Sequence, residues 1–441
     1  MNKRRKEKMS NKEETQKMRK VNMRIFPIYK KLAWDYLFFY SIDFLFLTQI
    51  KGISAADVVL KSTFFAFFSI IMQIPANIII EFLGRKNSLI LGNVLNCFYM
   101  VIIMLSRNLL DLIFAELISA IAFSIKNIVE PSLLNESIPP SRYKSKIYSK
   151  ISAKGASGYY LIGAISKIIA GFLFPINGYL PIICSLVVLV IVVILSMSFI
   201  EPIRKKKRNI NELIGKQQLK DIKEGFAYVL KSERLKALIL CAALIVSLLS
   251  ILSNYYVSLL EELEISSVAI GMIAAVATLI SSFASKKQEV FHRKLRNKTL
   301  ITTAMMISIS TIIAGICGLK AQEYAILVAI IVLMDFTHNF GKGMYYTIID
   351  RYLRNFTNAQ IDTKIFAANN LFSAVARVIV GLFASFLLDK TTTAYCMIII
   401  GITFTILFIL TQKYMSSRVG LKPEEYSKEE TKYDEQRRLE K

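Results

Sequence analysis

The sequence predicts an all-α polytopic membrane protein, with about twelve transmembrane helices arranged as two six-helix halves. Three observations predict it: apolar stretches each about twenty residues long, basic residues confined to alternate gaps between them, and a short echo between the halves. The composition agrees, at 54% hydrophobic residues with a mean hydropathy of +0.46. A hydrocarbon core about 30 Å thick needs about 20 apolar residues per helical span. The runs are too long for strands and lack the alternation of a membrane barrel.

Taken in order, residues 1–31 form a basic tail that opens with Lys3, Arg4, Arg5 and Lys6 and closes with Lys30 and Lys31. No apolar core of a signal peptide precedes Leu32, so the tail is read as retained. The N-terminal half, 32–200, holds six spans: Leu32–Ile50, Val58–Ile80, Ser88–Ser106, Leu109–Val129, Ser152–Phe174 and Gly178–Ile200. Residues 201–234 form a charged linker. It opens with Pro202 and the run Arg204–Arg208, then places Leu213, Leu219, Ile222, Phe226, Val229 and Leu230 at helical spacing, as an amphipathic surface helix would. The C-terminal half, 235–414, holds Leu235–Ser258, Ser267–Ala284, Leu300–Leu319, Tyr324–Ile348, Ile365–Leu388 and Tyr395–Tyr414, and a charged tail follows at 415–441.

Basic residues mark the cytoplasmic side. One set of gaps holds Arg85/Lys86, Arg142/Lys144/Lys146/Lys150, Arg204–Arg208, Lys286–Lys298 and Arg351/Arg354/Lys364. The other set holds only Lys51, Arg107, Lys320 and Lys390, with an acidic turn at Glu261–Glu264. Both termini are therefore expected in the cytoplasm of a cell carrying the protein in its plasma membrane. The net charge of +24 lies along that inner face, where anionic lipid attracts it; nucleic acid is not an expected partner. The five cysteines, Cys97, Cys184, Cys241, Cys317 and Cys396, fall in spans without paired or metal-ligand spacing and read as small apolar fillers. No metal, cofactor or catalytic group is expected. The expected partners are a small-molecule substrate, protons and lipid, and the expected state is a monomer.

Glu81-Phe82-Leu83-Gly84-Arg85-Lys86 follows the second span, and Glu289-Val290-Phe291-His292-Arg293-Lys294 follows the eighth, 208 residues later. The repetition at corresponding inner loops predicts a duplication. This loop resembles the signature Gly-x-Leu-Ala-Asp-Arg-x-Gly-Arg-Lys of the major facilitator superfamily. Gly84, Arg85 and Lys86 match outright, Glu81 replaces the Asp, Asn77 stands at the first Gly and Phe82 replaces the first Arg. The chain departs from the family's proton-coupled drug exporters in having no Arg-x-x-Gln-Gly in the fourth span. It also lacks a Gly-Pro element among Gly155, Gly158, Gly163 and Gly171 of the fifth. On physical grounds Glu81 can pair with Arg85 one turn on. It can also accept amides at a neighbouring helix N-terminus, so the loop, with Glu289, Arg293 and Lys294 in its copy, reads as a conformational latch or as a plain basic loop.

Ionisable groups inside a bilayer are costly unless they face protein or water. The third, sixth, ninth and twelfth spans carry none, whereas the first has Asp35 and Asp43, the fourth Glu116 and Lys126, the fifth Lys167, the tenth Asp335, His338 and Lys342, and the eleventh Arg377. The resemblance implies that the first and fourth spans of each half line a central cavity and every third span faces lipid, which matches this charge map. Asp43, central in its span, is the first candidate for a proton-carrying carboxylate and Glu116 the second; the alternative for each is a buried structural pair. Asp35, beside Trp34, is expected near the inner interface in an anchoring role. Asp335, His338 and Lys342 share one helical face, with Gly341-x-Gly343 as a hinge beside them, and read as a proton relay or as a static network. The 208-residue offset sets Asp335 against Asn127, beside Lys126, and Arg377 near the counterpart of Lys167. Lys167 and Arg377 suit an organic anion or simply neutralise the carboxylates. Tyr36, Phe39, Tyr40, Tyr159, Tyr160, Tyr255, Tyr256, Tyr345 and Tyr346 offer rings to an amphipathic compound or anchor span ends.

The function expected is secondary active transport by alternating access, as proton-coupled efflux of a small amphipathic compound. Organic-anion uptake or exchange is the alternative. A membrane enzyme would need a clustered catalytic set, and the only histidines are His292 and His338. ATP-driven transport would need a phosphate-cradling loop that is absent. A receptor-like descendant of a transporter remains the third reading.

Overall fold

The structure is a computed structural model, described here for residues 2–139, 143–201, 214–295, 298–355 and 362–416. The basic run Arg204–Arg208, Arg142, and the C-terminal tail beyond 416 lie outside the described residues, as do the side chains of Leu213, Leu219, Ile222, Lys146, Arg351 and Arg354.

The described residues form helices joined by turns and bends, without strands. In chain order the elements are α1 (Asn2–Ala33), α2 (Asp43–Leu45) running into a π-helical turn (Phe46–Ile50), α3 (Ala55–Leu83), α4 (Arg85–Leu105), α5 (Leu109–Ser137), α6 (Lys144–Ile176) and α7 (Leu180–Met197). There follow α8 (Ile214–Lys231), α9 (Glu233–Glu262), α10 (Ser267–Leu295), α11 (Thr299–Gly318), α12 (Ala325–Asn355), α13 (Asp362–Lys390) and α14 (Thr393–Ser416). Eleven helices, from α3 to α7 and from α9 to α14, are long and apolar enough to cross a membrane.

Short polar residues set several helix starts. Asn108 caps α5 by accepting the Asp111 amide at 3.0 Å, and Ser232 caps α9 by accepting the Leu235 amide at 3.3 Å. Each removes one of the orphan donors of a helix N-terminus. Pro181 stands in the first turn of α7, where its missing N–H costs nothing.

The chain divides into two compact units, one of residues 1–43 and 68–216, the other of 44–67 and 217–441. The division differs from a simple cut at the linker, because residues 44–67 cluster with the C-terminal unit. Within that unit Thr48 donates to Glu261 at 2.6 Å, Asn254 to Ser62 at 3.3 Å, and Ser385 to the Ala56 carbonyl at 2.9 Å. These are the side-chain bonds that substitute for a hydrophobic drive between helices in lipid.

In the first unit α1 packs on α5, α6 and α7, and α4 on α5 and α7. Its core holds Tyr29, Ala76, Leu89, Ile125, Val129, Leu133, Val192 and Phe199, with Tyr29 and Phe199 edge to face at 5.5 Å. In the second unit α11 packs on α12 and α14, α10 on α12, and α9 on α13 and α14. There α8 lies against α13, where Phe226 stacks on Phe372 at 4.3 Å and Lys364 binds Glu224 at 2.5 Å.

Candidate functional site

The first span is not a continuous helix. α1 stops at Ala33, residues 34–42 form turns and bends, and helix resumes at Asp43. The span also begins earlier than its apolar content indicates. Asn22 is fully buried, donates to Ser137 (3.0 Å) and the Ile200 carbonyl (2.9 Å), and accepts the Ile200 amide (2.9 Å). It therefore stands level with the ends of α5 and α7. Eleven residues separate it from Ala33, so at a 1.5 Å rise the break lies about 16 Å along α1 from Asn22. Asp35 follows directly on that break, two residues past Ala33. The segment up to Lys31 is helical and, from Met18 onward, packs side chains such as Asn22, Phe26 and Tyr29 into the first unit. Lys30 and Lys31 hid this from hydropathy, yet Lys30 is ion-paired with Glu130 on α5.

Lys126 closes the break. It is 3% exposed, and its Nζ donates to the Ala33 carbonyl at 2.8 Å. That carbonyl ends a helix, where the unsatisfied acceptors and the negative end of the dipole both attract a cation. The stem of Lys126 lies against Gly92 of α4, where a Cβ would come within 3.2 Å of its Cγ. Beside it the buried Glu130 accepts from Tyr29 at 3.0 Å, and the Tyr29 hydroxyl accepts from the Asn93 amide at 3.2 Å. Glu130 was not among the expected site residues. It falls one position past the apolar run, but lies four after Lys126, on the same helical face.

Beyond the break a second polar layer surrounds Glu116, which is 4% exposed and accepts from Tyr99 at 3.2 Å. Tyr36 stacks on Tyr99 at 4.7 Å, donates to Asn96 at 2.9 Å and lies 3.1 Å from the Ser119 hydroxyl. Asp35 accepts the Tyr36 amide at 2.8 Å and the Tyr159 hydroxyl at 3.1 Å. Tyr159 in turn stacks on Trp34 at 5.4 Å. Asp43 is half-buried at the start of α2, and Lys167 is half-buried on α6. The break thus brings Asp35, Lys126, Glu130 and the rings of α1 and α6 together, which sequence spacing alone did not.

In the second unit Asp335, His338 and Asn339 form one cluster on α12. Asn339 donates to the Asp335 carboxylate and carbonyl, both at 3.0 Å, and His338 Nδ1 lies 3.4 Å from Asp335. The His338 ring is fully buried and stacked on Tyr256 at 5.4 Å. Lys342 and Arg377 are half-buried on α12 and α13, and Tyr346 interacts electrostatically with Arg377. One further buried cation escaped the sequence reading: Lys61, 3% exposed on α3. Among the described residues no group of three His, Cys, Asp or Glu side chains is placed to hold a metal.

The loop after α3 turns at Gly84, whose φ of +88° is a left-handed conformation that glycine adopts without strain. The α4 N-terminus it opens is capped by Glu201, from the segment after α7, which accepts the Arg85 amide at 2.9 Å and the Lys86 amide at 2.6 Å. The Arg85 side chain reaches Ser132 at 2.9 Å and pairs with Glu136 on α5. The amides that open α4 are thus capped by Glu201, a residue more than 110 positions on that no local pattern marks. Glu81 itself is half-buried. In the second copy α10 continues helically through His292 to Leu295. Glu289, Arg293 and Lys294 are exposed there, while His292 is buried 3.0 Å from Thr299. The two loops have the same sequence pattern but different backbones, because His292 stands where Gly84 permits the turn.

A family model described as Major Facilitator Superfamily matches residues 34–359. No curated protein matches the chain. Among solved structures the fold is similar to that of a POT family transporter in complex with 5-aminolevulinic acid, at TM-score 0.67 and 12% identity, over 90% of this chain and 96% of that one. It is also similar to a bacterial homolog of the human lysosomal transporter Spinster, inward-facing and unoccupied, at 0.64 and 14%, over 91% and 98%. A D-xylose-proton symporter is similar at 0.63 and 12%, over 90% and 97%.

Proposed function

The chain belongs to the major facilitator superfamily, and on that premise we propose that it exports a small amphipathic compound in exchange for protons. As a member of that family it is a multi-pass membrane protein and a secondary transporter, not an enzyme. The observation that carries the finer reading is the interruption of the first span between Asp35 and Asp43. Discontinuous helices at mid-membrane are where secondary transporters build their substrate and ion sites. Here the interruption brings two carboxylates to a ring-rich segment.

Asp43 is the proposed proton carrier and Glu116 the second carboxylate of the pathway. Asp335 and His338 form the corresponding group of the C-terminal unit, with Lys126, Lys167, Lys342 and Arg377 balancing the charge. The loop Glu81–Lys86 and its copy at Glu289, Arg293 and Lys294 serve as the latch between conformations. The protein works as a monomer in the plasma membrane with both termini in the cytoplasm.

The test is substrate-induced current and pH-gradient-driven flux in reconstituted liposomes, over a panel of amphipathic cations and organic anions. Proton-driven flux of an amphipathic compound, abolished in Asp43→Asn while the variant stays folded, is the expected result. Unchanged proton-driven flux in Asp43→Asn removes Asp43 from the coupling. Flux of organic anions only, lost with Lys167 or Arg377, replaces the proposal with anion exchange.

A further inference from the structure

We infer that α1 and α6, where they enter the membrane, form a binding site for the headgroup of an acidic phospholipid. Its cations are Lys17, Lys20 and Arg24 on α1 and Lys150 and Lys154 on α6. The inference is independent of what the protein transports. Attraction of anionic lipid to a basic face is diffuse, whereas these five side chains form one patch that continues into an apolar surface.

On α1 the buried residues Met18, Asn22, Phe26 and Tyr29 recur at spacings of four, four and three, which defines one face of the helix. Lys17, Lys20, Arg24 and Ile28 are all exposed and recur at three, four and four along another. On α6 the exposed residues Lys150, Lys154, Leu161, Ile165 and Phe172 fall within about 60° of one another around the axis. Exposed apolar side chains on a membrane-spanning helix face acyl chains. Each stripe therefore runs from basic to apolar as its helix goes deeper, and its cations stand at headgroup level.

The two stripes adjoin. Lys30 packs on Gly155, Lys31 on Gly158, and Trp34 stacks on Tyr159, so α1 and α6 run parallel with partners 125 to 127 residues apart. The same register sets Arg24 level with Lys150 and Ile28 level with Lys154. A Cβ at Gly155 would come 2.8 Å from the Lys30 Cβ, so glycine permits the close approach there. Lys31 lies on the same face of α1 as Lys20 and Arg24 and is the residue that meets Gly158, which puts the edge of the α1 stripe against α6. Asn22, two residues before Arg24, marks the ends of α5 and α7 through Ser137 and the Ile200 carbonyl.

The sign of the ligand follows from the charges. Residues 15–33 and 144–176 contain no Asp or Glu. No ion pair among the described residues engages any of the five cations. A phosphodiester supplies the acceptor oxygens that Arg and Lys bind through charge-assisted hydrogen bonds. Its acyl chains would continue over Ile28, Leu161 and Ile165, and the long stem of Lys154 lets its ammonium reach back to the headgroup. A choline headgroup would instead bring a further cation to five.

Purified full-length protein in detergent is titrated with phosphatidylglycerol and phosphatidylcholine of identical chains, and bound lipid is counted by native mass spectrometry. One phosphatidylglycerol per chain is expected to bind before any phosphatidylcholine. Its affinity should fall roughly tenfold or more in Lys20→Gln/Arg24→Gln/Lys150→Gln and persist in the charge-keeping Lys20→Arg/Arg24→Lys/Lys150→Arg. Lys286→Gln/Lys287→Gln/Lys298→Gln removes the same charge from exposed positions around the α10–α11 corner and should leave it unchanged. All these positions are exposed or at a helix surface, so the variants keep the fold. Equal loss in the α10–α11 variant overturns the location, and equal binding of phosphatidylcholine overturns the charge assignment. Displacement of the lipid by an equal concentration of glycerol 3-phosphate makes the ligand a soluble phosphate and overturns the lipid. Absence of stoichiometric binding overturns the site.

Discussion

Replacing Lys126 by methionine removes an ammonium and keeps most of the stem that lies along Gly92. The group lost is the donor to the Ala33 carbonyl at 2.8 Å, in a position 3% exposed. A hydrogen bond to a charged group contributes about 1.5–3 kcal/mol, and a buried acceptor left unsatisfied costs about 1–3 kcal/mol; these are two views of one loss and do not add. Methionine also removes the cost of burying the ammonium, which returns part of it. A net destabilisation of about 2 kcal/mol is expected, with Lys30 still neutralising Glu130. For a unit of 150–250 residues each kcal/mol moves the melting midpoint by about 2–4 °C, so a fall of roughly 4–8 °C follows. Thermal unfolding of the detergent-solubilised protein reads this, and hydrogen exchange localises it to the amides of residues 34–42. Lys126→Arg, which keeps a charged donor, is expected to recover part of both. A methionine variant that melts with the parent protein and leaves exchange at 34–42 unchanged would refute the cap.

Three other outcomes are expected. Gly84→Ala puts a Cβ 3.0 Å from the Glu201 carboxylate at a φ of +88°, so it should lose about 1–2 kcal/mol in a melting experiment; His292→Ala, at the matching position of the second copy, should show no such backbone cost. Glu201→Ala strips the acceptors from the Arg85 and Lys86 amides and should cost about 0.5–2 kcal/mol, with faster exchange confined to the first turn of α4, while Glu201→Gln is intermediate. Phe226→Ala removes the stack on Phe372 and should release α8 from α13, read as increased exchange along α8 with about 0.5–1.5 kcal/mol lost from the pair beyond its buried area.

Much of the architecture was legible because lipid imposes it. Eleven of the twelve expected spans correspond to helices of sufficient length and apolarity, since only helices satisfy their own backbone in a bilayer. The helix that precedes the break was not legible from hydropathy: Lys30 counts as polar in any window, although in the fold it is cancelled by Glu130, 100 residues away. The same blindness hid Glu130 itself, Lys61 and the cap formed by Glu201. Charges on one helix face were legible from periodicity, as with Asp335 and His338. Partners on different helices were not, because no spacing rule connects residues 85 and 201.

By itself the sequence determined the helical class, the alternation of basic gaps and which spans carry charge, because each follows from the cost of exposing polar groups to hydrocarbon. It also showed the same pattern in two loops 208 residues apart. Only the tertiary structure decided that those loops differ in backbone, since glycine permits the turn at 84 and histidine at 292 continues the helix. Only it decided that the first span breaks at Ala33, where a lysine from α5 supplies what the next turn of helix would have supplied. A helix ends where its last carbonyls find another donor, and which donor arrives there is settled by packing.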